Sequence, residues 1–288
     1  MIKNISIIGG TGMLGLPVVK AFLKNEYTIS ALVRNTSKAS SILPKAVQLV
    51  QGDLADYSSI EKFLHQTDYL YLNLNLKQHE KINDFHAEAQ GLQNILKAAK
   101  QQQVKHIAFI SSLVMNYQGM NDFNWWVFDL KHKAVDMIKQ SEIPYTLFYP
   151  STFMDNFNYT YRRGNRILLA GQSKQKMYFI SASDYAEQVV RSYRKYPTES
   201  KEYVIQGPEA YTAEEAAVIF QQNYTKEKLS ISKAPLGLLK FLGKFSQRIN
   251  YGAHIVEALN NYPEKFEAEK TWEELSKPIT LLKDFARL

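Results

Sequence analysis

The sequence predicts an α/β fold: a doubly wound parallel sheet with a smaller, mainly helical C-terminal lobe. Three observations carry this. Short apolar runs at 5–8, 28–33, 47–50, 69–74, 106–110 and 145–149 alternate with helical patterns. Such alternation favours parallel strands joined by right-handed crossovers. Gly9, Gly12 and Gly15 fall between the first strand and the first helix, which is the Rossmann-type arrangement. Past Pro150 the alternation loosens, marking the second lobe.

The elements follow in order. The helical spacing of apolar residues places the first helix at 16–23. A short helix is expected at 58–64 and a long amphipathic one at 83–102. Residues 131–140 are helical, before the sixth strand. Beyond it, 178–180 and 203–205 read as strands, and 184–194, 213–222 and 236–261 as helices. These assignments give a sheet domain over 1–152 with later additions around 178–206. The lobe then covers 153–288, interleaved with the sheet, and Gly207-Pro208 is a crossing point between the two.

Bulk properties narrow the function classes. The chain has 288 residues, 45% hydrophobic and 22% charged, with no cysteine. Disulfides, thiolate metal sites and cysteine nucleophiles are therefore excluded. No apolar run is long enough to span a bilayer and no signal-peptide pattern is visible, so the expectation is a soluble cytoplasmic protein. The formal charge of +7 suits an anionic ligand. The basic residues are scattered, and no nucleic-acid binding is expected. His79 and His86 lie seven apart without a third ligand, which points to a solvated helix face and to no metal site.

The glycine set carries the main chemical signal. The first glycine permits a tight turn, the second lets the backbone approach a pyrophosphate, and the third lets the helix pack on the strand. Free amides at the helix start, with the positive end of the dipole behind them, then hold phosphate. Thr11, Met13 and Leu14 belong to this turn with Gly9, Gly12 and Gly15. Ligands in such sheets sit beyond the carboxyl ends of the strands. That edge gathers Arg34, Asp53, Asn73, Ser111 and Pro150. An acidic residue at the end of the second strand is usual for NAD. Arg34 stands there instead, with Lys38 nearby, and favours the 2′-phosphate of NADP(H) over NAD(H). Asp53 is either an adenine contact or a turn-forming residue before the next helix.

The segments IIGGTGMLG, ALVRN, VQGDLAD, GLQNILKAAKQQQVKHIAFISS, IPYTLFYPSTFMDNF and YVIQGPEAYT resemble the atypical short-chain dehydrogenase/reductase superfamily, in its NmrA-like branch. They span most of 1–215. The resemblance implies NAD(P) binding and a C-terminal substrate lobe. It also implies that the segment holding Tyr149, Pro150 and Phe153 passes beside the nicotinamide. Members include quinone or enone reductases and non-catalytic redox sensors that act through a protein partner. Nucleotide-sugar epimerase-like chemistry is a further alternative.

The superfamily's usual centre is a Ser with Tyr-x-x-x-Lys. Ser111 or Ser112 matches the serine region, and Lys131 lies where the lysine belongs. The position four before it is Val127, so the phenol is missing. Tyr224 and Lys228 repeat the spacing, but outside the sheet. Lys131 and Ser111 are the catalytic candidates, and both are also cofactor candidates. Quinone reduction requires mainly that a flat acceptor be positioned over the nicotinamide. Trp125, Phe128, Phe153 and Asn156, with Trp126 beside them, are the candidates for the substrate pocket.

Overall fold

The structure, a computed structural model, describes residues 4–288. Seven parallel strands form the main sheet. They are β1 (Asn4–Ile8), β2 (Thr28–Val33), β3 (Gln48–Gln51), β4 (Tyr69–Leu72), β5 (His106–Ile110), β6 (Tyr145–Pro150) and, later in the chain, β10 (Lys201–Ile205). Their spatial order is β10-β6-β5-β4-β1-β2-β3. The chain reverses direction across the sheet between β1 and β4, which pair directly with Ile8 opposite Leu72. Such a switch point leaves a crevice at the carboxyl ends of the two strands.

Both faces are covered. Helix α1 (Gly15–Lys24) and α6 (Ala182–Lys195) pack together on one face. Helices α3 (Tyr57–Phe63), α4 (Leu92–Gln101) and α5 (Trp126–Gln140) cover the other. This explains why the strand sequences are apolar without alternation: β5 is buried at every residue.

The boundaries differ from the sequence reading at several places. Helix α2 (Thr36–Ser40) is an addition, capped by the Asn35 side chain on the Lys38 amide at 2.8 Å. The helix expected over 83–102 begins only with a wide turn at Ala87–Gly91 before α4. Its first residues are diverted into local bonds: the Lys81 amide donates to the Asp84 carboxylate, and His86 contacts Glu80 and the Ile82 carbonyl. His86 is buried, not on a solvated helix face. Helix α5 starts five residues earlier than expected, because the apolar Trp126–Phe128 turn is itself helical. The 236–261 helix breaks into α8 (Leu236–Gly243) and α9 (Gln247–Asn261), which pack on each other as a hairpin.

The second lobe mixes helices with short strands. β7 (Arg162–Arg163), β8 (Arg166–Ala170) and β12 (Ser230–Ala234) form one small sheet; β9 (Met177–Phe179) pairs with β11 (Glu209–Tyr211). Helix α7 (Ala213–Asn223) opens with a capping box of Thr212 and Glu215. Short helices α10 (Glu269–Glu274) and α11 (Leu282–Phe285) close the chain. The lobe has its own core around Phe157, Phe179 and Phe220. No helix among the described residues is long and apolar enough to cross a membrane.

One buried phenol ties the two layers together. The Tyr193 hydroxyl, on α6, donates to the Leu70 carbonyl at 2.6 Å and accepts from the Ala108 amide at 3.1 Å. It thus satisfies backbone groups of both β4 and β5. Tyr193→Phe removes both phenol bonds while the β4–β5 ladder remains. A loss of about 1–2 kcal/mol in urea unfolding is expected, without change in secondary structure.

Candidate functional site

The glycine turn is shaped by close approach. Gly9 has φ +84°, and a Cβ there would lie 2.1 Å from the Asn73 carbonyl oxygen. A Cβ on Gly15 would lie 2.1 Å from the Gly9 carbonyl oxygen. Only glycine at both positions lets α1 start against the ends of β1 and β4. Gly12 is different: its Cβ would meet nothing closer than 3.4 Å. That position is open to solvent, as is Thr11. The Gly12 amide donates to the Gly9 carbonyl at 3.2 Å, and Asn73 Nδ2 reaches the same oxygen at 3.5 Å. No side chain caps α1, and its first turn carries no acid. This bare, positively polarised helix start fits a diphosphate.

The candidates after β2 and β3 are solvent-facing. Arg34 is exposed just past β2. The Asp53 carboxylate accepts from the Ala55 amide at 2.9 Å, a turn-forming bond, while Asp56 caps α3. Both lie on the same edge as the glycine turn.

Two cavities meet at Met13. A cleft of about 640 Å³ runs along α1 past Thr11, Gly12 and Lys20 to Asp155. A larger cavity of about 780 Å³ extends from Met13 between the sheet edge and the second lobe. Its sheet side carries Asn75, Ser112, Ser151, Phe153 and Asn156, and its lobe side is mostly apolar, from β8, α8 and α9. The larger cavity is the better place for chemistry, since it gathers polar groups at the strand ends inside an apolar wall.

The other sequence candidates are dispersed. Ser111 is buried, with Oγ 3.3 Å from Met115 Sδ, while the adjacent Ser112 lines the cavity. Pro150 ends β6 opposite Ile205. Tyr149 points away and donates to the Glu202 carboxylate at 2.7 Å. Burial and that carboxylate hold its phenol well above the usual range. Trp125 and Phe128 are buried in the core and do not line the cavity. Trp125 stacks on His254 and meets Tyr251 edge-on at 5.0 Å. Trp126 tilts over His86. Tyr251 supplies the cavity's aromatic wall from α9. Tyr224 accepts from Arg162 at 2.6 Å within the second lobe.

Lys131 is committed elsewhere. Its Nζ lies 2.8 Å from Oε1 of the fully buried Glu88, and neither residue lines a cavity. Burial pushes the ammonium down, but the Glu88 carboxylate and the Tyr251 phenol outweigh it and keep Lys131 above its ordinary value.

Glu264 escaped the sequence reading because nothing around it forms a motif. It sits in the loop after α9 and lines the larger cavity. Oε2 accepts from Ser151 Oγ at 2.8 Å; Oε1 accepts from Gln206 Nε2 at 2.7 Å and the Tyr178 amide at 3.4 Å. Burial pushes its carboxyl up to about 7, against these bonds and helped by Glu267.

A model of the NmrA-like family matches residues 1–284. The chain belongs to the NmrA-like family. Photosystem II assembly factor Ycf39 of Trieres chinensis is 25% identical, covering 98% of this chain and 91% of that protein. Quinone oxidoreductase 2 of Escherichia coli is 26% identical, over 74% and 72%. The crystal structure of the latter complexed with NADPH has a TM-score of 0.72 at 22% identity, covering 98% of both chains. The triphenylmethane reductase of Citrobacter sp. complexed with NADP(H) has a TM-score of 0.74 at 18% identity, covering 99% of this chain and all of that one. NmrA-like membership and these likenesses agree with the doubly wound sheet seen here.

Two stability outcomes follow from the site's charges. Lys131→Ala strands the buried Glu88 carboxylate and is expected to cost about 3 kcal/mol in chemical denaturation. Lys131→Met with Glu88→Leu should recover most of it. Glu264 titrates near 7 folded and near its ordinary 4.5 unfolded. The native state therefore holds the proton more tightly, and stability falls as pH rises from about 4.5 to 7. Glu264→Gln, which mimics the neutral acid, should gain up to roughly 3 kcal/mol at pH 8 and nothing at pH 4. Thermal melts across pH measure it.

Proposed function

We propose that the chain is an NAD(P)H-dependent reductase that prefers NADP(H) and passes hydride to a quinone or other small conjugated carbonyl compound. The observation that carries this is the bare glycine turn opening, through Met13, into a largely apolar cavity at the strand ends. The backbone at Thr11, Gly12, Met13 and Leu14 would hold the diphosphate, with Arg34 on the 2′-phosphate. Phe153 and Asn156 would flank the ring and the acceptor. Bound there, a reduced nicotinamide supplies the hydride. The protein's part is to place the acceptor, exclude water and provide a proton. The quinone oxidoreductase and triphenylmethane reductase likenesses support this reading.

A second reading is a dinucleotide-responsive protein that works through a partner. The absence of a phenol at Val127 favours it, as does the closure of Lys131 onto Glu88. The assembly-factor relative, matched over 98% of this chain, points the same way.

Two measurements decide. NADPH oxidation with a panel of quinones should show turnover, and measurable NADPH binding without turnover on any acceptor supports the second reading. Arg34→Ala should weaken NADPH binding about tenfold or more while NADH binding changes less than twofold, read by titration of the dinucleotide's fluorescence. Equal affinity of the unaltered protein for both dinucleotides would remove the 2′-phosphate assignment.

A further inference from the structure

Glu264 is held in a way that fixes where its proton goes. Oε1 receives two donors, Gln206 Nε2 and the Tyr178 amide. Gln206 is itself locked: its Nε2 also donates to the Lys265 carbonyl at 2.7 Å, and its Oε1 accepts from the Glu267 amide at 2.8 Å. A proton on Oε1 would collide with those donors. In the neutral acid the proton therefore lies on Oε2, aimed at Ser151 Oγ 2.8 Å away. Ser151 follows β6 directly and is anchored by its amide to the Ile205 carbonyl at 2.9 Å. Both side chains line the larger cavity.

We propose that Ser151 and Glu264 form a proton-delivery pair for the acceptor in that cavity, and that the acceptor is a conjugated carbonyl compound whose oxygen takes the proton. The proposal rests on the reductase reading. The balance is complete. Hydride from a reduced nicotinamide dinucleotide adds to the acceptor's conjugated carbon, and the carbonyl π electrons move to oxygen. That oxygen takes the Ser151 Oγ proton. Ser151 takes the Glu264 proton, and water at the cavity mouth reprotonates the carboxylate.

Competing acids are less suited. The Tyr251 phenol lines the same cavity, but burial holds it above its usual value despite Lys131. Lys131 is paired with Glu88. Glu264, raised to about 7, is matched to neutral pH. Glu267 is the charge that pushes it further up. The Tyr262 phenol is titratable and feels Glu264 in turn. Of the cations on the cavity wall, Lys233 is bound to Glu214, Arg163 donates to the Arg162 carbonyl and Arg248 to the Gln78 side chain.

The test compares unaltered protein with Glu264→Gln, Ser151→Ala, Ser151→Thr and Tyr251→Phe on two acceptors. One is a high-potential benzoquinone and the other a weakly activated enone. The unaltered protein should lose enone turnover as pH rises through about 7, since the protonated acid is the active form. Glu264→Gln should abolish that limb and lower enone turnover about 100-fold or more, and lower benzoquinone turnover by less, since a quinone is the stronger electrophile. Ser151→Ala should repeat the loss and Ser151→Thr restore it. Independently of turnover, infrared spectra of the unliganded protein should show a protonated-carboxyl band titrating near 7 that Glu264→Gln removes. NADPH affinity should be unchanged in every variant. Turnover with an unaltered pH profile in Glu264→Gln, or loss of the limb in Tyr251→Phe instead, overturns the pair and leaves the reductase reading standing. Benzoquinone turnover without enone turnover by the unaltered protein overturns the pair, and no turnover of either acceptor, with NADPH bound, overturns both.

Discussion

The contact between Gly15 and the Gly9 carbonyl sets the rest. A side chain at Gly15 would push α1 off the end of β1, and one at Gly9 would push the turn off the end of β4. The helix start would then no longer face the crevice at the switch point, and Met13 would no longer join the two cavities. A sub-van der Waals limit on one Cβ thus governs where an anion can sit, because packed interiors do not give way by an ångström.

Charge is handled differently at the two ends of the site. Past β2 and β3, Arg34 and Asp53 stand in solvent, where screening is strong and a cation contributes chiefly when an anion docks beside it. Behind the larger cavity, Lys131 and Glu88 are buried together and neutralise each other. A charge pair of that kind is costly to break and idle as an acid. Glu264 lies between these extremes. It is too enclosed to stay ionised at its ordinary value, yet still open to the cavity.

The sheet was legible because its signals are local. Apolar runs without alternation, and glycines at fixed offsets, are consequences of burial on two faces and of a tight turn. The strands of residues 5–110 therefore fell close to their places. The helix ends were harder. At 83–86 the side chains of Asp84 and Glu80 compete for local partners and delay the helix, and at Gly243 two helices separate where periodicity suggested one. The aromatic cluster misled for a physical reason. A Trp or Phe at a helix start looks the same in sequence whether it faces a ligand or the core, and Trp125 and Phe128 face the core.

The chemistry was least legible because it is assembled from distant segments. Ser151, Tyr178, Gln206 and Glu264 come from four separate stretches, and no spacing links them. The superfamily pattern directs attention to position 127, where the phenol is absent, and to Lys131, whose charge is consumed. The cavity wall opposite is built by the second lobe, the part without a usable signature. Here the loop after α9 delivers one carboxyl to the serine at the end of β6, and Gln206 after β10 and the Tyr178 amide of β9 hold it in place.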